Sequence, residues 1–181
     1  MLTEREVIST VEMVKNENLD VRTVTLGINL FDCAGSDLRA VRRAIKDKIL
    51  RVGSEFVSLC DRVGSKYGIP VVNKRISVSP MAVLGAPFAS EDMVSLAQTL
   101  DESAREVGVD FIGGFSALVE KGAAKGDVAL MQAIPEALRS TQRVCSSVNV
   151  ASSKSGINMD AVWTMGRVIK ETAGLTADAD G

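Results

Sequence analysis

Histidine is absent from this chain of 181 residues. That removes the commonest general base, the commonest metal ligand and every His-dependent triad, so chemistry here falls to carboxylates, lysine, cysteine, hydroxyls and backbone groups. Cysteine is scarce. Cys33, Cys60 and Cys145 are odd in number, far apart and without Cys-x-x-Cys spacing, which argues against a disulfide framework and against a zinc site. No metal is expected, and no motif identifies a cofactor. Aromatic residues are few (Phe 5, Tyr 1, Trp 1) and the formal net charge is -2, so neither a base-stacking set nor a cationic footprint exists and nucleic acid is set aside as a partner. No apolar run reaches the roughly 18 residues of a membrane span. The start, Met1-Leu2-Thr3-Glu4-Arg5-Glu6, lacks the basic beginning and apolar centre of a secretory signal. A cytoplasmic protein with reduced thiols and no membrane partner is expected.

What is present is an ordinary globular composition, 46% hydrophobic and 24% charged, arranged in alternating periods. Thr3 and Glu6 make a capping box for a short helix carrying Val7, Val11 and Val14. Val24, Leu26, Ile28 and Leu30 then alternate with Thr23, Thr25, Gly27 and Asn29, a strand with one apolar face. Apolar residues at 38, 41, 45, 49, 52, 56, 59 and 63 predict one long helix closed by Gly68. Gly53 and Gly64 share a face of it, eleven residues apart, and read as a close packing contact. Residues 71–79 form a second strand, residues 90–107 a helix ended by Gly108, and residues 109–116 a third strand leading into a glycine turn, where Gly113-Gly114 allows a tight turn. Lys121-Gly122 and Lys125-Gly126 read as breaks. Asp127 caps one short helix, Pro135 opens another, and Gly174 closes the last helix.

The most informative stretch is residues 142–158. Val144, Val148 and Val150 point one way and Cys145, Ser147 and Asn149 the other; a loop of Ser152, Ser153, Lys154, Ser155 and Gly156 follows, and Asn158 is an N-cap for a helix. A strand, a small-residue loop with a lysine and a helix N-terminus aim N–H groups and a positive dipole end at one place. Alternation of helix and strand argues for an α/β fold with mainly parallel strands, whose ligands lie beyond the strand C-termini. Four strands with cover on one side would be part of a sheet or barrel rather than the whole.

Three motifs carry a resemblance. Val71-Val72-Asn73-Lys74-Arg75-Ile76-Ser77-Val78-Ser79-Pro80, Gly108 through Val119, and Val144-Cys145-Ser146-Ser147-Val148-Asn149 continuing to Lys154-Ser155-Gly156-Ile157-Asn158-Met159 closely resemble uncharacterised protein family 0210, also called domain of unknown function 711. The resemblance implies a fold similar to the pyruvate formate-lyase barrel, ten strands ringed by helices, with residues 1–181 a single α/β unit forming its N-terminal part. It implies little chemistry. A glycyl radical would need Arg-Val-x-Gly; Arg51-Val52-Gly53 and Arg62-Val63-Gly64 place the glycine one position early and inside a helix, so that reading is rejected.

Candidate residues follow, each with two readings. Lys154, with Ser153, Ser155, Gly156 and Asn158, suits a phosphate or carboxylate but lacks the full P-loop pattern; the alternative is a solvated lysine. Arg75 shares a face with Asn73, Ser77 and Ser79 and is an interior ligand cation, or else a structural partner of Asp110 or Glu120. Gly113, Gly114 and Ser116 offer a tight turn or backbone groups for a ligand. Cys145 is a nucleophile if a cation lowers its pKa, and otherwise a small buried residue; Cys33, beside Asp32 at a strand exit, carries the same pair of readings. Cys60 reads as packing. The expected function is binding of a small anionic metabolite at the strand rim, with catalysis as an extension; the alternative is a non-catalytic regulatory or scaffold protein. Either implies a homo-oligomer or assembly with a chain supplying the rest of the barrel, since exposed sheet edge and apolar surface need cover.

Overall fold

The computed structural model describes residues 3–17 and 20–179. Four strands, β1 (Val21–Ile28), β2 (Val71–Val78), β3 (Phe111–Leu118) and β4 (Val144–Asn149), form one sheet in the order β1-β2-β3-β4, every pair parallel. Between them run α2 (Leu38–Gly53), α3 (Phe56–Tyr67), the single turn α4 (Met81–Leu84), α5 (Ser90–Val107) and α6 (Lys125–Arg139). Before the sheet comes α1 (Glu4–Asn16); after it come the two-stranded hairpin β5 (Ala151–Ser152) and β6 (Gly156–Ile157) and then α7 (Met159–Thr176). This is an α/β fold.

Strand parity decides which side is covered. Ile28, Ile76, Val78, Ile112, Phe115, Ala117 and Val144 are buried in one cluster with Ile45 and Ile49 of α2, Leu96 and Leu100 of α5, and Leu130 and Ile134 of α6. Residues of opposite parity, Thr25, Gly27, Arg75, Ser77, Cys145, Ser147 and Asn149, are exposed. Helices therefore cover one face and leave a polar face open. Lys74, on the covered side, meets Asp61 of α3 at 2.9 Å, while its N–H donates to Asp110 Oδ2 at 2.7 Å.

The expected caps form. Thr3 and Glu6 bond reciprocally, at 2.7 Å from Thr3 N and 3.4 Å from Glu6 N, and Asn158 Oδ1 accepts from Ala161 N at 3.1 Å. Gly68 and Gly108 close α3 and α5 in left-handed backbone.

Four expectations are corrected. Gly113-Gly114 is not a turn beyond β3 but lies inside it: the register with β4 slips between Gly113 and Phe115, a bulge at which Gly114 takes φ 117°. The bulge changes the phase, so Ile112 and Phe115, three apart, bury on one side and Gly113 and Ser116 share the other. The long helix breaks at Ser54-Glu55, just after Gly53 packs against Val107, and leaves Val52, Leu59 and Val63 exposed rather than in the core. Residues 125–139 form one helix with Pro135 inside; Asp127 Oδ2 accepts from Ala124 N at 2.8 Å, and Gly126 gives room for the Ala82 carbonyl instead of breaking the chain. Gly174 lies within α7 and does not end it.

Candidate functional site

The open face is organised in rows across the strands. Thr25 pairs with Arg75 and Arg75 with Phe111; one step toward the C-termini Gly27, Ser77, Gly113 and Cys145 stand in register; beyond the bulge Ser116 pairs with Ser147 and Leu118 with Asn149. The second row contains two glycines, one hydroxyl and one thiol. No atom lies within 4 Å of a side chain built on Gly27 or Gly113, so this row is a low floor between taller neighbours.

Arg75 is the fixed charge of the floor. Its guanidinium carbon lies 5.2 Å from the centroid of the Phe111 ring, a cation–π contact that holds the side chain over the sheet. Among the described residues Arg75 forms no ion pair. Both anticipated partners are engaged elsewhere: Asp110 accepts from the Lys74 backbone, and Glu120 accepts from Asn149 Nδ2 at 3.3 Å. At the rim Asn29 and Ser79 tie the β1 and β2 exits together, Ser79 Oγ donating to Asn29 Oδ1 at 3.1 Å and accepting from Leu30 N at 3.0 Å.

The other sequence candidates divide. Ser153, Lys154 and Ser155 form the exposed tip of the β5–β6 hairpin, braced where Ser155 N–H donates to Ser152 Oγ at 3.0 Å; Gly156 follows with φ 79°. Asn158 is committed to structure at both ends of its amide, since Nδ2 donates to the Val119 carbonyl at 2.7 Å while Oδ1 caps α7. Asp32 and Cys33 sit in a single 3-10 turn, Phe31–Cys33, after β1. Lys48 Nζ reaches both Asp32 oxygens, at 2.5 and 2.6 Å, and this hydrogen-bonded pairing holds the Asp32 carboxyl below its ordinary range. Cys33 is buried in the main cluster; burial first, and the Asp32 charge second, push its thiol up.

An apolar cleft of ≈ 700 Å³ lies along β4, lined by Ser146, Ser147 and Val148 together with residues of α6 and α7. This cleft is mostly apolar and meets the open face at Ser147. Among the described residues no group of three or more Cys, Asp and Glu is disposed to hold a metal, and no helix is long and apolar enough to cross a membrane.

The family described as Uncharacterised ACR (DUF711) matches residues 12–181, a span that contains every residue of the open face. The chain belongs to this family. It is 65% identical to a UPF0210 protein of Oleidesulfovibrio alaskensis, 53% identical to one of Methanosarcina barkeri and 52% identical to one of Listeria monocytogenes. These alignments cover 100%, 99% and 97% of this chain but 40%, 40% and 39% of the relatives. The chain therefore spans about 40% of the length of the curated relatives it matches.

Within this DUF711 chain, sequence reasoning passed over Phe111 as a site residue. Its signal was available, because Phe111 alternates with the buried Ile112 and so shares the parity of Gly113. The structure also gives the three thiols different prospects. Cys145 is exposed on the open face, not buried; Cys33 and Cys60 are buried, and burial raises both thiols. A small maleimide is expected to label Cys145 first, with Cys33 and Cys60 about tenfold slower or more, since burial limits access of the reagent and disfavours the thiolate. Peptide mass spectrometry of partly labelled protein reads the order, and early labelling of Cys33 contradicts the burial argument.

Proposed function

We propose that the open polar face of the sheet and its C-terminal rim bind a small anionic metabolite, with Arg75 as the anchoring cation. One observation carries this reading: a guanidinium held over Phe111, without an ion pair among the described residues, stands beside a floor of Gly27, Ser77, Gly113 and Cys145. A planar guanidinium suits bidentate carboxylate or phosphate recognition. Ser77, Ser116 and Ser147 supply further hydrogen bonds, and Lys154 at the hairpin tip adds a second cation for a ligand that extends past the rim. Cys145, in register with Gly113, is the one thiol on this face and the candidate nucleophile should the protein be an enzyme.

The finer fold is proposed on the same grounds. Strands in sequential order, all parallel and helix-covered on one side, support a sheet that curls with helices outside, as in a barrel of the pyruvate formate-lyase type, and the polar face then becomes its interior. On this reading residues 1–181 are one α/β unit at the N-terminal part of a longer cytoplasmic protein that closes the barrel within one chain or between copies.

The test uses a protein of the relatives' full length. Its melting temperature is measured against a panel of carboxylates and phosphates; a ligand at 100 times its Kd contributes about 2.7 kcal/mol of stability, enough to read as a shift of several degrees. Arg75→Ala abolishes the shift and Arg75→Lys retains part of it, while Lys154→Ala reports whether the hairpin contributes. If no anion stabilises the protein, the binding reading falls and a regulatory or scaffold role takes its place.

A further inference from the structure

The formal net charge of -2 hides one local concentration of cations, on the helix layer. Arg39, Arg42, Arg43 and Lys46 follow one another at helical spacing along α2, so all four share one face of its first turns. Asp37 caps the helix, accepting from Arg39 N at 3.0 Å, but no acidic residue stands in its first turn. Like charges three and four apart repel, and a helix N-terminus is itself a positive dipole end, so the arrangement costs α2 stability on both counts. Only Lys46 is relieved. Its Nζ lies 3.0 Å from Glu106 Oε2 and 3.9 Å from Glu102 Oε2, both on α5, whereas Arg39, Arg42 and Arg43 form no ion pair among the described residues.

That face opens on a cleft of ≈ 260 Å³ between α2 and α5, lined by the four cations, Thr99 and two carboxylates, Asp47 and Glu102. Arg42 is anchored in its wall. Nε donates at 2.7 Å to Thr99 Oγ1, and this hydroxyl, on a residue only 2% exposed, donates in turn at 2.9 Å to the Ser95 carbonyl. One edge of the guanidinium is thus fixed by a buried threonine, while its Nη groups make no hydrogen bond among the described residues. Asp47 stands one turn beyond Arg43 and lines the same cleft without pairing with it. An oriented guanidinium with free N–H groups, flanked by two more arginines, is a cost to the fold that an arriving anion removes.

We propose that the cleft between α2 and α5 binds a phosphoryl group, as free phosphate or as the phosphate of a small monoester, with Arg42 as the oriented fork and Arg39 and Arg43 closing on it. Three guanidiniums offer more paired N–H groups than the two oxygens of a carboxylate accept, whereas a phosphoryl group presents three oxygens and a larger charge. The cleft is smaller than the roughly 300 Å³ at which pockets for drug-sized ligands begin, so it takes the phosphoryl group with a short appendage and not a whole nucleotide. Bound there, the anion neutralises the repelling arginines and braces α2, which packs on α5. The site stands on the helix layer, across the sheet from Arg75, and does not rest on the open-face reading.

Inorganic phosphate and glycerol phosphate are titrated into the full chain at constant ionic strength, with chloride as control, and calorimetric heat and melting temperature are read. The two ligands are expected to bind saturably and in competition. Binding survives Arg75→Ala, which separates it from any ligand of the open face, and loses about tenfold or more in affinity in Arg42→Gln and in Arg43→Gln. Arg43 is exposed, so its variant guards against a change at Arg42 that disturbs the fold, and without ligand it melts no lower than the parent because a repelling charge is gone. An effect that chloride reproduces is screening, binding that Arg75→Ala removes belongs to the open face, and binding indifferent to both arginine variants is adventitious. Each of these overturns the proposal, as does the absence of saturable binding. Recruitment to phosphatidic acid vesicles without affinity for either soluble phosphate overturns it in favour of a membrane surface.

Discussion

Gly114→Ala is expected to destabilise the fold by about 3 kcal/mol, whereas Gly113→Ala, one residue away, costs less than about 1 kcal/mol. At Gly114 two penalties combine. The backbone sits at φ 117°, a conformation L side chains rarely adopt, and an added Cβ would lie 2.5 Å from both Val78 Cγ2 and the Val78 carbonyl oxygen. The carbonyl belongs to β2 and cannot give way without parting the sheet. At Gly113 nothing lies within 4 Å and the backbone is unexceptional, so alanine meets only the open face. Urea midpoints of the two variants measure the difference; equal costs would mean that the bulge is not where the strain resides.

That contrast bears on function because the bulge sets the composition of the floor. A regular β3 would alternate without interruption from Ile112, sending Gly114 and Ser116 into the helix layer and Phe115 out onto the open face beside Ser147. With one residue inserted, Phe115 enters the core and Ser116 joins Ser147 on the polar side. A single glycine therefore keeps a phenylalanine off the place where a ligand is proposed to lie.

Much of this arrangement was legible because period-two alternation reports a face directly. Thr25 and Gly27 against Leu26 and Ile28, Arg75 against Lys74, and Cys145 against Val144 all fall where parity puts them. The caps at Thr3 and Asn158 were equally readable, each being a local hydrogen bond between residues three apart. What escaped was information held by other elements. A Gly-Gly pair reads as a turn; that it is a bulge depends on Val78, 36 residues earlier. The same holds for Gly126, which looks like a helix breaker until the Ala82 carbonyl is placed against it, and for the stripe at 52, 59 and 63, whose helical spacing says nothing about whether a partner covers it. The candidate site followed suit: the place of Arg75 on the open face was legible from its parity, while Asn158, a plausible ligand group by type, has both amide atoms engaged by the fold.

Phe115→Ala is expected to cost about 4 kcal/mol, within the usual range for a buried aromatic, and Ser116→Ala less than about 0.5 kcal/mol. Phe115 is fully buried, among the largest such side chains in the chain, on a strand that touches α4, α5 and α6. Its loss leaves a cavity that three helices cannot jointly close. Ser116 donates only to the Gly114 carbonyl, at 3.3 Å, and otherwise faces the open side. Thermal and urea unfolding of the two variants measure the pair. Their value is joint: a large cost at 115 with almost none at 116 fixes the phase of β3 after the bulge. The reverse order would put Phe115 on the polar face and remove the floor on which Arg75 and Cys145 are proposed to act together.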